Sequence, residues 1–205
     1  MGSYLNPGNK GFQESLNSEI YVDKTGLIEK TNEVLDTRQK FLCVSRPRRF
    51  GKSMAADMLA AYYERGEDSA ELFGTLKISK VESYEKNRNQ YDIIKVNMQE
   101  FLSMTHSVDE MLSMLQKYLI FDLTDHFDNV RFRDENNLIQ VMKDIYSKTK
   151  HSFVILIDEW DCLFREYQQD QEAQKKYLDF LRAWLKDKDY VALAYMTGIL
   201  PIKKY

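Results

Sequence analysis

A loop ending in Gly-Lys-Ser, set between a strand-like run and a helix-like run, constrains this chain more than any other feature. Residues 40–45 are Lys-Phe-Leu-Cys-Val-Ser, the loop at residues 46–53 is Arg-Pro-Arg-Arg-Phe-Gly-Lys-Ser, and residues 54–63 have a helix-forming composition. A phosphate-binding P-loop requires this order of strand, loop and helix. The feature therefore predicts an α/β fold that binds a nucleoside triphosphate.

The second half of the loop contains the residues that would contact phosphate directly. Gly51 lets backbone amides approach a phosphate closely, and the helix that follows supplies oriented N–H groups and a positive dipole end. Lys52 is predicted to reach the β- and γ-phosphates, and Ser53 to hold Mg²⁺. The first half departs from the usual G-x-x-x-x-G-K-S/T pattern, because Arg46 replaces the first Gly and Pro47 with the arginines must shape the turn. The candidate nucleotide-binding residues of this segment are Arg46, Pro47, Arg48, Arg49, Phe50, Gly51, Lys52, Ser53 and Met54.

A second motif is an apolar run that ends in two carboxylates. Residues 153–157 are Phe-Val-Ile-Leu-Ile, which predicts a strand buried on both faces, and Asp158 and Glu159 follow it. Ligands bind at the carboxyl ends of strands in parallel sheets. Asp158 is therefore predicted to face the Mg²⁺ held by Ser53, and Glu159 to polarise the attacking water as general base. The alternative is a strand that ends in a solvated acidic turn. A Walker A loop and this Walker B pattern, in this order along one chain, favour a P-loop fold.

Further segments accompany these two motifs. Residues 21–25 are Tyr-Val-Asp-Lys-Thr, residues 158–161 are Asp-Glu-Trp-Asp, and residues 197–199 are Thr-Gly-Ile. Together with the arginine-containing loop, they resemble the predicted AAA-ATPase-like family of bacterial and archaeal proteins, in which Arg in place of the first Gly is typical. The resemblance spans essentially the whole chain. It implies an N-terminal ATPase domain, which in this family is often followed by a nuclease-like domain of the PD-(D/E)xK type; no residue of this sequence indicates that second domain.

The apolar pattern predicts alternating helices and strands. The predicted strands are at 41–45, 91–97, 153–157 and 190–196. The predicted helices are at 24–35, from the loop to about 65, from 107, at 136–149 and at 169–187. Residues 1–20 are predicted to be irregular, and a short helix and a turn are predicted within 67–80. We divide the chain into an N-terminal segment, residues 1–36, and a P-loop core, residues 37–205. In related ATPases the segment before the first strand contacts the base, so Tyr21 and Asp23, with Val22 between them, are candidates for contacting adenine. The alternative is that Tyr21 and Val22 pack beneath the first strand.

The last predicted strand defines the expected class of P-loop fold. Thr197 and Gly198 follow this strand. In the additional-strand class of P-loop ATPases, such a strand lies between the Walker A and Walker B strands, and its terminal polar residue senses the γ-phosphate. Thr197 fits that role, and the alternative is a plain turn. We therefore predict an α/β fold of this additional-strand class: a three-layer α/β/α sandwich with a mostly parallel central sheet.

The additional-strand class also needs a fifth strand beside the Walker A strand. Seven residues follow Gly198, whereas a crossover to a parallel strand takes about a dozen. The Walker A strand would then be an apolar edge, which native proteins avoid. We therefore expect the chain to be a fragment that is truncated before the last strand.

Composition and charge limit the expected partners. The net charge is −3 and the dense basic cluster lies in the loop itself, so direct binding of nucleic acid by this segment is not expected. The N-terminus lacks the apolar core of a signal peptide, and no apolar run is long enough to span a bilayer. Two cysteines are too few for a disulfide scaffold, and the three histidines show no metal-ligand spacing. We expect a cytoplasmic protein without a membrane partner.

Two functional hypotheses follow. In the first, the chain is a Mg²⁺-dependent ATPase with ATP as its nucleotide partner. Catalytic roles are predicted for Lys52, Glu159 and Thr197, and metal binding for Ser53 and Asp158. An arginine finger from a neighbouring subunit would make activity depend on self-association. In the second, the chain is a nucleotide-binding switch or interaction module with little or no turnover, which the altered loop and the missing fifth strand favour. A small-molecule kinase is a third hypothesis, but no feature indicates an acceptor site.

Overall fold

A parallel sheet of four strands lies at the centre of the described part of the chain. The computed structural model describes residues 2–200, so residues 201–205 of the predicted core lie outside it. The strands are β1 (Phe41–Ser45), β2 (Asp92–Asn97), β3 (Phe153–Asp158) and β4 (Val191–Gly198). Their order is β1-β4-β3-β2, and each neighbouring pair is parallel. The strand β4, which is last in sequence among the described residues, therefore lies between the strand before the Gly-Lys-Ser loop and the strand that ends in Asp158.

Ten α-helices and one 3₁₀ helix surround this sheet within residues 2–200. The helices are α1 (Lys10–Leu16), α2 (Gly26–Val34), α3 (Lys52–Tyr63), α4 (Ala70–Phe73), α5 (Tyr84–Asn87), α6 (Met98–Ser103), α7 (Val108–His126), α8 (Leu138–Thr149), α9 (Cys162–Glu166) and α10 (Gln171–Leu185), with the 3₁₀ helix at Lys77–Lys80.

Helix α1 corrects the prediction that residues 1–20 are irregular. Its Phe12 is buried and stacks on Phe73 at 4.9 Å between ring centroids, so tertiary packing stabilises a helix that sequence pattern alone does not indicate.

Helices cover both faces of the sheet because the side chains of its strands alternate between them. In β3, Phe153, Ile155 and Ile157 pack into one apolar core with residues of α6 to α10. Val154 and Leu156 pack into a second core with residues of α1, α2 and α3. Every residue of β3 is buried, as its continuous apolar run predicts for a central parallel strand. The structure confirms the predicted α/β fold and the position of β4 between β1 and β3.

The two edges of the sheet differ. The chain at residues 4–6 runs along β2, where the Asn6 N–H donates to the Ile93 carbonyl at 2.8 Å and the Lys95 N–H donates to the Tyr4 carbonyl at 2.9 Å. Among residues 2–200, β1 pairs with β4 alone, and Phe41 is 40% exposed. The predicted apolar edge at β1 is thus present in the described part of the chain. No helix there is long and apolar enough to cross a membrane.

Candidate functional site

The loop between β1 and α3 achieves its turn without the usual first glycine. The Arg46 N–H donates to the Gly198 carbonyl at 3.0 Å, which extends the pairing of β1 with β4 by one residue. The chain turns later, where Arg49 and Gly51 both adopt the left-handed region with φ of 68° and 72°. Because Arg46 continues the strand, its position does not require the conformational freedom of glycine. Helix α3 then begins at Lys52.

The Lys52 side chain lies inside this loop. Its ammonium group donates to the carbonyl oxygens of Arg46 and Pro47, both at 3.2 Å. The residue is 9% exposed, so its charge is held close to the backbone and largely shielded from bulk water. An ammonium group placed among backbone carbonyls at the N-terminus of a twelve-residue helix is suited to bind an anion.

A second lysine, which the sequence analysis missed, supports the loop from outside. Lys24 donates from Nζ to the Phe50 carbonyl at 3.0 Å. A Cβ atom added to Gly51 would lie 2.6 Å from that Nζ, so a larger residue at position 51 would displace the lysine. Lys24 belongs to the Tyr-Val-Asp-Lys-Thr segment, which is the one sequence feature that could have drawn attention to it. Its distance along the sequence from the loop does not show that the two are in contact.

Three oxygen-bearing side chains meet at the carboxyl ends of the strands. Ser53 donates from its hydroxyl to Asp158 Oδ2 at 2.5 Å, and the Thr197 hydroxyl donates to Asp158 Oδ1. The register of the sheet places Thr197 here, since it pairs with Val44 of β1 while its neighbour Met196 pairs with Ile157 of β3. Asp158 is 5% exposed and Thr197 is fully buried. The structure thus brings together the two predicted metal ligands and the predicted sensor.

The donor atoms at this point fit Mg²⁺ bound together with a nucleotide. Mg²⁺ prefers oxygen ligands, keeps several waters, and usually takes one or two carboxylates plus phosphate oxygens from the substrate. The Ser53 hydroxyl and the Asp158 carboxylate provide one neutral and one charged oxygen donor side by side. Within residues 2–200 there is no group of three or more His, Cys, Asp or Glu side chains that could hold a metal ion by themselves. This donor set suits a metal that arrives with phosphate.

A cavity of about 360 Å³ joins the loop to the predicted base. Its lining residues are Arg48, Arg49, Gly51, Lys52, Ser53, Met54 and Glu159. Phe50 does not line it and is 59% exposed. A larger cavity of about 1140 Å³ lies along β1, between Phe41, Leu178 and Met196. None of its described lining residues lies in the first turn of a helix, so we place the candidate site at the loop, where N–H groups and cations converge.

Glu159 is held in an unusual conformation at the end of β3. Its φ is 51°, in the left-handed region that costs a non-glycine residue about 1–2 kcal/mol. Its carboxylate accepts from the Arg165 guanidinium at 2.5 Å. Arg165 could not be identified from sequence, because its place beside Glu159 depends on the short helix α9, which sequence periodicity does not indicate.

Among the predicted adenine-contacting residues, Tyr21 and Asp23 are half-buried, whereas Val22 is exposed. Tyr21 lies edge-on to Phe12 at 6.2 Å between ring centroids, beside a cavity of about 10 Å³ that Val22 also lines. Asp23 accepts from the Thr25 N–H and hydroxyl at 2.8 and 2.6 Å, and from the Lys77 N–H at 2.8 Å. That Tyr21 and Asp23 contact adenine stays a prediction. In the structure, Asp23 holds the segment that contains Lys24.

The two cysteines near the site have suppressed acidity. Burial raises the pKa of Cys43 in β1 to about 11, and burial raises the pKa of Cys162 at the start of α9 to about 12. Both thiols are therefore protonated at neutral pH, and neither provides the thiolate that nucleophilic chemistry requires.

A family model described as predicted AAA-ATPase matches residues 8–205. The chain belongs to this family. Membership confirms the family resemblance that the sequence segments at residues 21–25, 46–53, 158–161 and 197–199 indicate. It also supports a nucleotide as the class of ligand for the site described above.

The chain is also similar to an uncharacterized protein in the vnfD 5' region of Azotobacter chroococcum mcd 1. The two are 24% identical over an alignment that covers 90% of this chain and 34% of the relative. The chain therefore spans about a third of the length of that relative. Neither the family nor the relative adds support for self-association or for a nuclease-like domain, so both stay predictions.

Proposed function

We propose that the chain binds ATP with Mg²⁺ and hydrolyses it at a P-loop site of the additional-strand class. One observation carries the proposal. Ser53, Asp158 and Thr197 converge from α3, β3 and β4, and the predicted base Glu159 lines the cavity formed by the loop. The strand order β1-β4-β3 supports the class, since it puts the predicted γ-phosphate sensor between the Walker A and Walker B strands.

Phosphate binding would use groups that already converge on the loop. The N–H groups at the start of α3 and the Lys52 ammonium supply positive potential. Lys52 now donates to two neutral carbonyls, and charged phosphate oxygens are stronger acceptors than these. Ser53 and Asp158 would hold the Mg²⁺, which when bound neutralises charge on the phosphates. Arg48 and Arg49 line the same cavity and would add cationic contacts.

Water activation would fall to Glu159. Glu159 lines the loop cavity, and a general base must be within hydrogen-bond reach of the proton that it removes. Thr197 would turn its hydroxyl from Asp158 toward the γ-phosphate and so distinguish ATP from ADP. Asp23 would act at a distance, by fixing the segment from which Lys24 supports the loop.

A second candidate function is a nucleotide-binding switch or interaction module with little or no turnover. The specific observation in its favour is the bond between Glu159 and Arg165, which engages the predicted base with a protein cation. The replacement of the first glycine by Arg46 also favours it, because the loop departs from the pattern common in efficient NTPases.

Replacement of Glu159 by Gln discriminates between the two functions. For an ATPase, we expect Glu159→Gln to lower turnover by about 10²- to 10⁴-fold, the usual contribution of a general base, while ATP binding is kept. The matched control is Glu172→Gln on α10, where the side chain is 81% exposed. Phosphate release and ATP affinity would be measured in the same samples. Equal turnover in wild type and Glu159→Gln contradicts the assignment of the base, and tight ATP binding without wild-type turnover supports the switch.

A further inference from the structure

A single guanidinium group connects Glu159 to neighbouring elements. Arg165 donates from Nη2 to Glu159 Oε2 at 2.5 Å, and Gln99 Oε1 lies 3.4 Å from the same nitrogen. The Arg165 and Glu159 side chains are only 18% and 21% exposed. Solvent-exposed ion pairs contribute little because water and salt screen them. This pair is largely shielded, so it can fix the geometry of the groups that form it.

The position of Arg165 is itself fixed by the fold. Helix α9 begins three residues after Glu159, and its Cys162 and Leu163 are buried in the core. Gln99, which follows β2, contacts Arg165 and also donates to Glu166 at 2.6 Å. Two helices therefore position the guanidinium: α9, which follows β3 and carries Arg165, and α6, which follows β2 and carries Gln99.

A neighbouring buried carboxylate, Asp161, also pairs with this guanidinium, but at a longer distance than Glu159 does. Asp161 Oδ1 lies 3.6 Å from Arg165 Nε, beyond hydrogen-bond distance. Its other oxygen, Oδ2, accepts from the N–H groups of Ile199 and Leu200 at 2.7 and 2.5 Å. Asp161 therefore holds the chain that follows β4 through Oδ2 and attracts Arg165 by charge through Oδ1, whereas the short hydrogen bond of Arg165 is with Glu159.

The bond leaves one oxygen of Glu159 available. Among residues 2–200, Arg165 bonds to Oε2, and no hydrogen bond involves Oε1. A glutamate side chain loses up to about 2 kcal/mol of rotamer freedom when it is fixed, so an unsupported base samples several orientations. Placing a catalytic group about 1 Å away from its working position can cost about 100-fold in rate. A base that is held through one oxygen, in a residue that lines the cavity, avoids that loss.

We propose that Arg165 is a positioning residue that orients Glu159 for water activation, with Gln99 supporting it. The inference rests on the proposed ATPase function and deepens it. Arg165 touches neither nucleotide nor metal in this role and acts through Glu159 alone. The device lies within one chain and needs no residue from a second subunit.

A double-mutant cycle between Arg165 and Glu159 tests this role. Hydrolysis is measured under single-turnover conditions, with protein in excess over ATP, so that slow rates remain measurable. We expect Arg165→Ala to lower the rate by about 10- to 100-fold, with ATP affinity within about 2-fold of wild type. Arg165→Lys should recover part of the rate, because it keeps the charge but not the planar fork. In the Glu159→Gln background, Arg165→Ala should have no further effect, because a residue that acts through Glu159 has nothing left to position.

The control is Arg182→Ala on α10, where the side chain is 67% exposed, and thermal melts check that each variant folds. If Arg165→Ala does not fold, Gln99→Ala and Arg165→Lys take its place in the cycle, with a rate loss of several-fold expected for each. An unchanged or higher rate in the Arg165 variants overturns the inference. So does an equal rate loss in both backgrounds, which would indicate independent action. Absence of hydrolysis by the wild type refutes the proposed function itself, whereas an active wild type with additive losses refutes only the role of Arg165.

Discussion

At the scale of single residues, Glu64 shows how burial changes the behaviour of a carboxylate. It follows α3 directly, is 3% exposed, and accepts from the Gly8 N–H at 2.8 Å. Burial raises the pKa of Glu64 from 4.5 to about 7, and the nearby negative charges of Glu67 and Asp92 add to the effect. The folded protein therefore keeps a proton on Glu64 at pH values where the unfolded chain has lost it.

This shift predicts how stability depends on pH. Between about pH 4.5 and pH 7 the folded state binds the extra proton, so the free energy of unfolding falls as the pH rises, and the full penalty is present above pH 7. Glu64→Gln keeps the acceptor for Gly8 but cannot ionise. We expect it to match wild type near pH 4.5 and to be more stable by about 1–3 kcal/mol above pH 7.

Urea unfolding across this pH range measures the effect. Glu71→Gln, at an exposed position of α4, is the matched control and should leave the pH dependence unchanged. His126 and His151 lie beside Asp92 in the same region, with His151 Nδ1 3.1 Å from Asp92 Oδ2. The difference between wild type and Glu64→Gln therefore isolates Glu64 from them. A constant difference at every pH would contradict the prediction.

The residues of the candidate site that could be predicted are those whose role follows from a short continuous sequence motif. Lys52 and Ser53 follow from the loop pattern, and Asp158 follows from the strand that precedes it. Lys24, Gln99 and Arg165 could not be assigned in this way. Their partners lie 26, 66 and 6 residues away, and each contact depends on how separate elements pack. His126 and His151 also lie beside Asp92 only because separate elements pack together, so their spacing in the sequence does not indicate this contact.

At the scale of elements, the most predictable segments are those whose pattern is long or continuous. The predicted strand at 41–45 agrees with β1, and the continuous apolar run at 153–157 lies within β3. Helices α1, α5, α6 and α9 have seven residues or fewer and were missed. Such short helices present too few turns to show a 3.6-residue period, and tertiary packing decides whether they form.

The strands should differ in protection against amide hydrogen exchange. β3 and β4 each have a parallel neighbour on both sides, whereas β1 has one on a single side within residues 2–200. We expect the slowest exchange in β3 and β4 and faster exchange in β1, because exchange follows local opening and exposed hydrogen-bonding edges open most easily. Mass spectrometry of exchanged peptides measures this at two protein concentrations. Equal protection of β1 and β3 would contradict the prediction, and a rise in β1 protection with concentration would indicate that a second copy covers the edge.

At the scale of the whole molecule, the candidate site depends on assembly of the entire sheet. Its groups come from the loop and α3, from the end of β3, from the end of β4 and from α9, and two separate apolar cores hold these elements on opposite faces. The α/β fold and the position of β4 between β1 and β3 were predictable from the sequence, whereas the position of β2 at the far edge of the sheet was not predicted. Nor did the sequence predict the packing of residues 1–36, where Asp23 and Lys24 support the loop.

Calorimetry with Mg²⁺, comparing wild type with Lys52→Ala, shows whether the loop at residues 46–53 binds ATP through Lys52. Lys10→Ala is the control, since its side chain is 86% exposed on α1. We predict binding by wild type and the control, and a loss of at least about 10-fold in affinity for Lys52→Ala, because a charge-assisted bond to phosphate is worth about 1.5–3 kcal/mol. Binding by all three proteins with equal affinity, or by none of them when folded, would contradict the account.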